Sequence, residues 1–197
     1  MRRLVMVAVG LLGVAHLACG GKGSSSTGVV NPPPGPIVTF KCSDSPTAPD
    51  QVALQCGRLV SPNVWMIDVT IGVPTQSTDI GGFAFTVVFD PTILAYVPGS
   101  AEVGDLFIQP GGDYLLAAAT EPGDPGRLVV GISPINGTAG VAGSTGHDRI
   151  LRFELKNMTL SPWGPDLLTF ENVRAIDSSG APITSITFSG QLLLSLQ

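Results

Sequence analysis

Apolar and polar residues alternate in several short segments after residue 36. The clearest is the segment 149–156, in which Leu151, Phe153 and Leu155 alternate with charged residues. Successive side chains of a β-strand point to opposite faces, so this spacing predicts a strand with one buried face. Similar alternation, or a short apolar run between turn residues, predicts further strands at 64–71, 83–89, 93–97, 114–119, 128–132, 167–176 and 183–196.

Two of these segments carry the bulkiest side chains and are expected to form the centre of a core. Their inward rows are Trp65, Ile67, Val69 and Ile71, and Phe83, Phe85, Val87 and Phe89. Helical spacing is weak in this part of the chain. Turn residues separate the segments, including the Gly- and Pro-rich stretch Glu121–Gly126 and the turn Asp177–Gly180. The pattern therefore predicts an all-β fold, a two-sheet antiparallel β-sandwich of jelly-roll type with about nine strands.

The N-terminal segment has a different pattern, which is typical of an export signal. Arg2 and Arg3 precede the apolar run Leu4–Ala15, and small residues and a cysteine follow. This three-part layout predicts a signal peptide over residues 1–18, helical in the membrane or in the export machinery. The apolar run has twelve residues, which is short for a permanent membrane span.

The segment Leu17-Ala18-Cys19-Gly20 resembles the signal of bacterial lipoproteins. In that family the cysteine becomes the first mature residue and is lipidated, so the resemblance implies lipidation of Cys19 and an exported protein anchored to the cell envelope. Gly20 in place of an aspartate favours the outer membrane. His16 stands where the family usually has an aliphatic residue, and ordinary signal cleavage nearby, without a lipid, is the alternative.

Composition divides the rest of the chain into a stalk and a domain. Residues 19–36 are rich in glycine and serine and then in proline, which predicts a disordered, flexible stalk. Residues 37–197 are long enough for a single domain with a sizeable core. A mature chain that starts at Cys19 has eight basic and fifteen acidic residues, a net charge of −7. An acidic chain without a basic cluster argues against nucleic acid and against electrostatic docking to anionic lipid.

Cys42 and Cys56 are the two remaining cysteines. Exported proteins meet an oxidising compartment, which favours a disulfide between them. The bond would close a loop of 15 residues, which stabilises a domain by about 3 kcal/mol when the effect on the unfolded chain is counted. A metal site is the competing interpretation, and it is disfavoured because no second pair of ligands lies near in the sequence.

The order of motifs between residues 60 and 195 resembles the cohesin domain, which is related in fold to cellulose-binding modules. Its main element is the segment 82–94, GFAFTVVFDPTIL, which is similar to a cohesin strand pair joined at a Phe-Asp-Pro corner. Asp90 is expected to cap this corner and Pro91 to end the strand. The cysteine segment and Gly146–Arg149 depart from the family pattern. The other segments that are similar to the cohesin pattern are, in chain order, 69–74, 103–107, 129–133, 150–155 and 168–173.

This resemblance implies a non-catalytic module that attaches a dockerin-type partner protein, in connection with polysaccharide breakdown. Dockerins are small calcium-loaded helical modules on other proteins, so calcium is expected on the partner and no cofactor is expected on this chain. Two alternatives stay open. One is a carbohydrate-binding module that recognises a polysaccharide directly, and the other is a structural lipoprotein of the envelope.

Single residues offer few candidates for chemistry. Trp163 lies in a predicted Pro-rich turn and is the candidate for stacking on a sugar, whereas Trp65 is expected in the core. His147 is the single histidine after the signal, and a solvated loop residue is its predicted role, which leaves no basis for a Ser-His-Asp triad. No Asp-rich calcium loop occurs in the sequence. We therefore expect neither catalytic residues nor a metal site on this chain.

Overall fold

The computed structural model describes residues 40–44, 47–108, 113–135, 140–143, 148–159, 163–189 and 192–196, with the backbone alone at 40, 163–167, 194 and 196. All regular structure in these residues is β, and none of it is a helix that could span a membrane. The predicted signal peptide, the stalk, Cys19 and His147 lie outside the described residues. The strands are β1 (Phe40–Ser43), β2 (Gln51–Ser61), β3 (Val64–Ile71), β4 (Gly82–Val88), β5 (Leu94–Tyr96), β6 (Glu102–Val103), β7 (Tyr114–Glu121), β8 (Asp124–Pro134), β9 (Arg149–Asn157), β10 (Trp163–Ile176), β11 (Thr187–Phe188) and β12 (Leu192–Leu196).

The strands form two sheets, which confirms the predicted sandwich. The first sheet has the order β1-β12-β10-β4-β8-β7, and the second has the order β11-β2-β3-β9-β5, with β6 also paired to β9. Neighbouring strands are antiparallel except β2 and β11, which are parallel. Below, these sheets are called sheet 1 and sheet 2.

The core lies between the sheets and contains the predicted inward rows. Phe85 and Val87 of sheet 1 and Ile67 and Phe153 of sheet 2 are each at most 1% exposed. The ring of Phe85 meets that of Phe170 edge to face, with centroids 5.2 Å apart, a favourable aromatic geometry. Trp65 is half-buried and packs against the core, in line with its predicted role.

The Phe-Asp-Pro corner joins β4 to β5 as the sequence predicts. The Asp90 carboxylate accepts hydrogen bonds from the Thr92 backbone N–H at 2.8 Å and from the Thr92 hydroxyl at 2.7 Å. The Asp90 carbonyl accepts from the backbone N–H groups of Ile93 and Leu94. The bonds from Thr92 stabilise the carboxylate and hold the pKa of Asp90 below its ordinary value.

The turn between β7 and β8 is shorter than predicted. Glu121 pairs with Asp124, so Pro122 and Gly123 alone form the turn instead of the six residues expected from composition. Gly123 has a φ of +85°, which glycine adopts without a steric penalty. The two strands of this hairpin are therefore longer than the sequence pattern indicates.

The predicted strand 183–196 is wrong, because two strands occupy that segment. Thr187 and Phe188 pair with β2 in sheet 2, whereas Leu192–Leu196 pairs with β10 and β1 in sheet 1. The chain thus crosses from one sheet to the other within this segment. Strands β1, β2 and β6 were not predicted from the pattern, and β2 carries a register shift between Cys56 and Leu59 that interrupts its alternation.

The predicted disulfide between Cys42 and Cys56 is present, with the two Cα atoms 5.8 Å apart. Cys42 lies on β1 of sheet 1 and Cys56 on β2 of sheet 2. The bond therefore joins the two sheets to each other.

Candidate docking surface

The outer face of sheet 1 carries a row of very small side chains that crosses three adjacent strands. Ala84 of β4 pairs with Gly131 of β8, and Gly131 pairs with Ala117 of β7. All three point outward, because their neighbours along each strand belong to the core or pack against it. The row lines a shallow depression of about 230 Å³, with Leu115 at its side. We call this surface the small-residue face.

Gly131 lies at the centre of the row, and nothing within the described structure requires a glycine there. Its φ does not lie in the left-handed region, and a Cβ built on it would meet no atom within 4 Å. Glycine in the interior of a strand lowers stability by about 0.5–1 kcal/mol relative to alanine. A mid-strand glycine with open space above it fits a site where another backbone approaches closely.

A bulge in β10 forms one border of the small-residue face. The register between β10 and β4 shifts between Glu171 and Arg174, so that Asn172 and Val173 lie opposite the single residue Phe85 and β10 has one extra residue. Asn172 has a φ of +51°, a conformation uncommon for residues other than glycine. Val173 is 45% exposed, and Arg174 continues the row beside Ala84. The exposed side chains of Asn172, Val173 and Arg174 therefore lie at this border.

An ion-pair group lies farther along the same face. The Arg127 guanidinium contacts Glu121 at 2.8 Å and Glu171 at 2.7 Å, joining the β7–β8 hairpin to β10 across β4. Hydrogen bonds to Glu171 and Glu121 raise the pKa of Arg127 above its ordinary value. The group has a net charge of −1, whereas Arg174, next to Ala84 in the row, makes no ion pair within the described residues. The face is thus apolar in its middle, with a positive charge beside the row on β10 and a net negative group farther along the strands.

The outer face of sheet 2 has a different chemistry, because its central row is polar and charged. Gln55, Asp68, Arg152 and Glu102 lie in register across β2, β3, β9 and β6. Asp68 lies 3.6 Å from the Nε of Arg152 and 3.9 Å from that of Arg149. Burial raises the pKa of Asp68, and the two guanidinium groups oppose that rise. A face whose central row is polar and charged is a poorer candidate for apolar docking than the small-residue face.

The structure does not bring the sequence-predicted candidates together into a site. Trp163 is the first residue of β10 and pairs with Leu196, so its predicted place in a turn is wrong. Asp148, in the segment Gly146–Arg149 that departs from the family pattern, is buried, and its carboxylate accepts a hydrogen bond from the Thr75 hydroxyl at 2.8 Å, which is a structural role. Among the described residues, no group of three or more Cys, His, Asp and Glu has the arrangement of a metal site.

Sequence reasoning did not find the small-residue face, although a signal for it exists. The outward positions of segment 149–156 are charged, as expected for a solvated strand face. The outward positions of 83–89 and 128–132 are instead Ala84, Thr86, Val88, Val129 and Gly131. The absence of charge at these positions, in contrast to the charged outward row of 149–156, is the signal that the sequence carries for this face.

Solved structures with the same fold are cohesin modules. The sixth cohesin of scaffoldin B from Acetivibrio cellulolyticus, solved in complex with a Cel5 dockerin, aligns with a TM-score of 0.52 and 15% identity over 71% of this chain and 94% of that one. The second type II cohesin of the adaptor scaffoldin ScaA from the same organism aligns with a TM-score of 0.52 and 14% identity, over 70% and 85%. The domain has the cohesin fold.

A cohesin of Clostridium thermocellum, OlpC, in a type I complex with a dockerin, aligns with a TM-score of 0.51 and 13% identity over 73% of this chain and 91% of that one. No protein-family profile matches the chain, and no curated protein matches it. The likeness therefore concerns the cohesin fold, which confirms the fold that the sequence motifs implied.

Proposed function

We propose that this domain is a non-catalytic receptor that binds a dockerin-type module through the small-residue face. The observation that carries the proposal is the row Ala84, Gly131 and Ala117, an uncharged groove whose central glycine the domain itself does not need. The cohesin fold supports it, since two of the matched cohesins, one from Acetivibrio cellulolyticus and one from Clostridium thermocellum, were solved with dockerins bound.

The shape of the face agrees with a helical partner. A helix that crosses a sheet needs low side chains beneath it, and a row of alanine and glycine lets it approach the strands closely. Val129 and Leu115, which are 46% and 61% exposed, supply apolar contact on the same side of the sheet. Because both side chains are already partly buried, covering the remainder in a complex contributes about 1–2 kcal/mol each before the costs of association.

Direct polysaccharide binding is the alternative function, and the described aromatic residues do not favour it. Stacking on sugar rings requires exposed aromatic side chains. No aromatic residue whose side chain is described belongs to the exposed class, and the small-residue face has none on its central row. Trp163 stays the single sequence-based candidate for this role.

The proposed receptor is attached to the cell envelope through a lipid on Cys19, and its link to polysaccharide breakdown would come from the enzyme that carries the partner module. Twenty residues separate Cys19 from Phe40, the first residue of β1. Fully extended, they would reach at most about 70 Å from the membrane. Mass spectrometry of the mature N-terminus tests this attachment, and an unmodified start beyond Cys19 would contradict it.

The binding proposal is tested with a panel of purified dockerin modules loaded with calcium, including the two dockerins of the matched complexes. Isothermal titration calorimetry is expected to show a one-to-one complex with at least one member. A glycan array run in parallel tests the alternative. Glycan binding without any dockerin binding would contradict the proposal and support a carbohydrate-binding module.

A matched pair of variants tests the face. Val129→Glu places a carboxylate on the small-residue face, and Lys156→Glu places one at an exposed position of β9 on sheet 2. Because a buried unpaired charge is costly in an interface, Val129→Glu should weaken dockerin binding by at least tenfold. Lys156→Glu should leave it within about twofold. Equal loss in both variants, or loss in Lys156→Glu alone, would place the binding surface elsewhere.

A further inference from the structure

The first strand of the domain is an edge strand with a single neighbour. β1 lies at the edge of sheet 1, and its single strand neighbour is the last strand, β12. Their register pairs Phe40 with Leu196 and Ser43 with Leu193. A pull on the chain that precedes Phe40 therefore acts at one end of a four-residue ladder, in the direction that opens its hydrogen bonds one after another.

Strand β1 has little side-chain packing to resist such a pull. Lys41 and Ser43 are exposed, and Cys42 is the one residue among these three that packs against the core. β1 is also the edge strand, so β12 supplies hydrogen bonds on one side alone. Short edge strands with few buried contacts open at low free energy, well below that of the whole domain.

The disulfide is placed to stop that opening after two residues. Phe40 and Lys41 are the two residues of β1 that precede Cys42, and Ser43 is the one that follows it. The partner, Cys56, lies within β2, a strand of eleven residues that pairs with both β3 and β11 in sheet 2. The Cys56 backbone N–H also donates to the Asp44 carboxylate at 3.1 Å, a second link between the end of β1 and β2.

We propose that the Cys42–Cys56 bond is a peel stop, which prevents tension on the N-terminal side from stripping β1 off the sandwich and passes that tension to β2, which is paired with β3 in sheet 2. This role does not depend on which partner the domain binds. It applies to any force that pulls the chain before Phe40 away from the folded domain.

The same bond also keeps the neighbouring strand, β12, from becoming an exposed sheet edge. If β1 leaves, β12 becomes the edge of sheet 1, and its sequence Leu192-Leu193-Leu194-Ser195-Leu196 has no charge and no proline. Uncharged apolar edge strands pair with other chains and promote aggregation. Retaining β1 thus keeps an aggregation-prone segment in the interior of the sheet.

The test is single-molecule stretching of the mature chain between its two ends, with the wild type and the double variant Cys42→Ala/Cys56→Ala. In the double variant, an early low-force step should release residues 40–50, about 35–40 Å of extended chain, before the domain unfolds. In the wild type, the release before main unfolding should not exceed Phe40 and Lys41, about 7 Å. Hydrogen exchange without load should show at least tenfold faster exchange in β1 of the double variant, with β4 and β9 unchanged.

Three outcomes would overturn the proposal. One requires no variant to fold: the wild type still shows no early step of 35–40 Å after a thiol reductant has opened the bond. Another is a double variant that unfolds in a single step at the wild-type force with β1 still protected from exchange. The third is a double variant that loses protection throughout the domain, because the bond is then a general stabiliser of the fold and not a peel stop.

Discussion

At the scale of single residues, substitutions of Gly131 distinguish its effect on the stability of the domain from its effect on partner binding. A Cβ on this residue meets no atom within 4 Å, so Gly131→Ala should raise the free energy of unfolding by about 0.5–1 kcal/mol. Gly131→Val should fold as well, because valine favours strands, yet it should weaken dockerin binding by at least tenfold by filling the groove. Urea unfolding and calorimetric titration of the same samples measure the two effects.

Gly104 provides the control for this experiment. A Cβ at Gly104 would lie 2.0 Å from the Arg149 carbonyl oxygen, so Gly104→Ala should destabilise the domain by more than about 1 kcal/mol. If Gly131→Ala destabilises the domain to a similar degree, the glycine has an internal role and the argument for close approach fails. Stable Gly131 variants that bind as the wild type does would also contradict it.

The sequence could not single out Gly131 for a physical reason. A glycine inside a strand pattern also fits a bulge or a packing contact, and Gly57 and Gly82 have such contacts, with backbone oxygens 2.5 and 2.6 Å from a Cβ. The difference between these glycines depends on neighbours from distant parts of the chain. The Cys42–Cys56 bond was predictable because the chemistry of the two cysteines and the predicted export signal restrict the alternatives.

At the scale of elements, turns hold the carboxylates with lowered pKa values. Asp177, at the turn after β10, accepts hydrogen bonds from the Ser179 hydroxyl at 2.7 Å and from the backbone N–H groups of Ser179 and Ala181, each at 2.9 Å. These bonds, that from the Ser179 hydroxyl foremost, lower the pKa of Asp177 below 3.8. A carboxyl group whose folded pKa lies below its unfolded value stabilises the fold above the unfolded pKa, and this contribution is lost as the pH falls through the folded pKa.

Asp177→Asn therefore tests the linkage in a defined pH range. The amide oxygen can still accept the turn hydrogen bonds, but it does not titrate. We expect the wild type to lose more stability than the variant between about pH 4 and pH 2, and both to respond equally above about pH 5. Thermal unfolding at a series of pH values gives both curves. Parallel curves throughout would show that Asp177 has the same pKa folded and unfolded.

Strand elements were predictable where alternation is uninterrupted and one face is buried. β3, β4 and β9 begin and end within one residue of the predicted positions. β2 was missed because its register shifts after Cys56, which breaks the period of two. β1 depends on pairing with β12, at the other end of the chain, and no local pattern reports such a contact.

At the scale of the whole molecule, the outer faces of the two sheets differ in their chemistry. Sheet 2 neutralises Asp68 with two arginines and presents charge to solvent, whereas sheet 1 presents the small-residue face. The disulfide joins the sheets at the edge of sheet 1 that carries β1, and the face reaches the opposite edge at β7. In the proposed arrangement, a bound partner and the N-terminal stalk therefore pull on opposite edges of one sheet.

This arrangement predicts a separate response of the domain and of its complex to loss of calcium. The described part of the chain has no cluster of metal-ligating side chains, so EDTA should leave the melting temperature of the isolated domain unchanged within about 1 °C. The proposed partner folds around calcium, so the same chelator should abolish complex formation. Differential scanning calorimetry of the domain and size-exclusion chromatography of the mixture, each with EDTA and with calcium restored, measure the two responses. A melting temperature that falls with EDTA would reveal a metal site on this chain, and a complex that persists in EDTA would argue for a partner other than a dockerin.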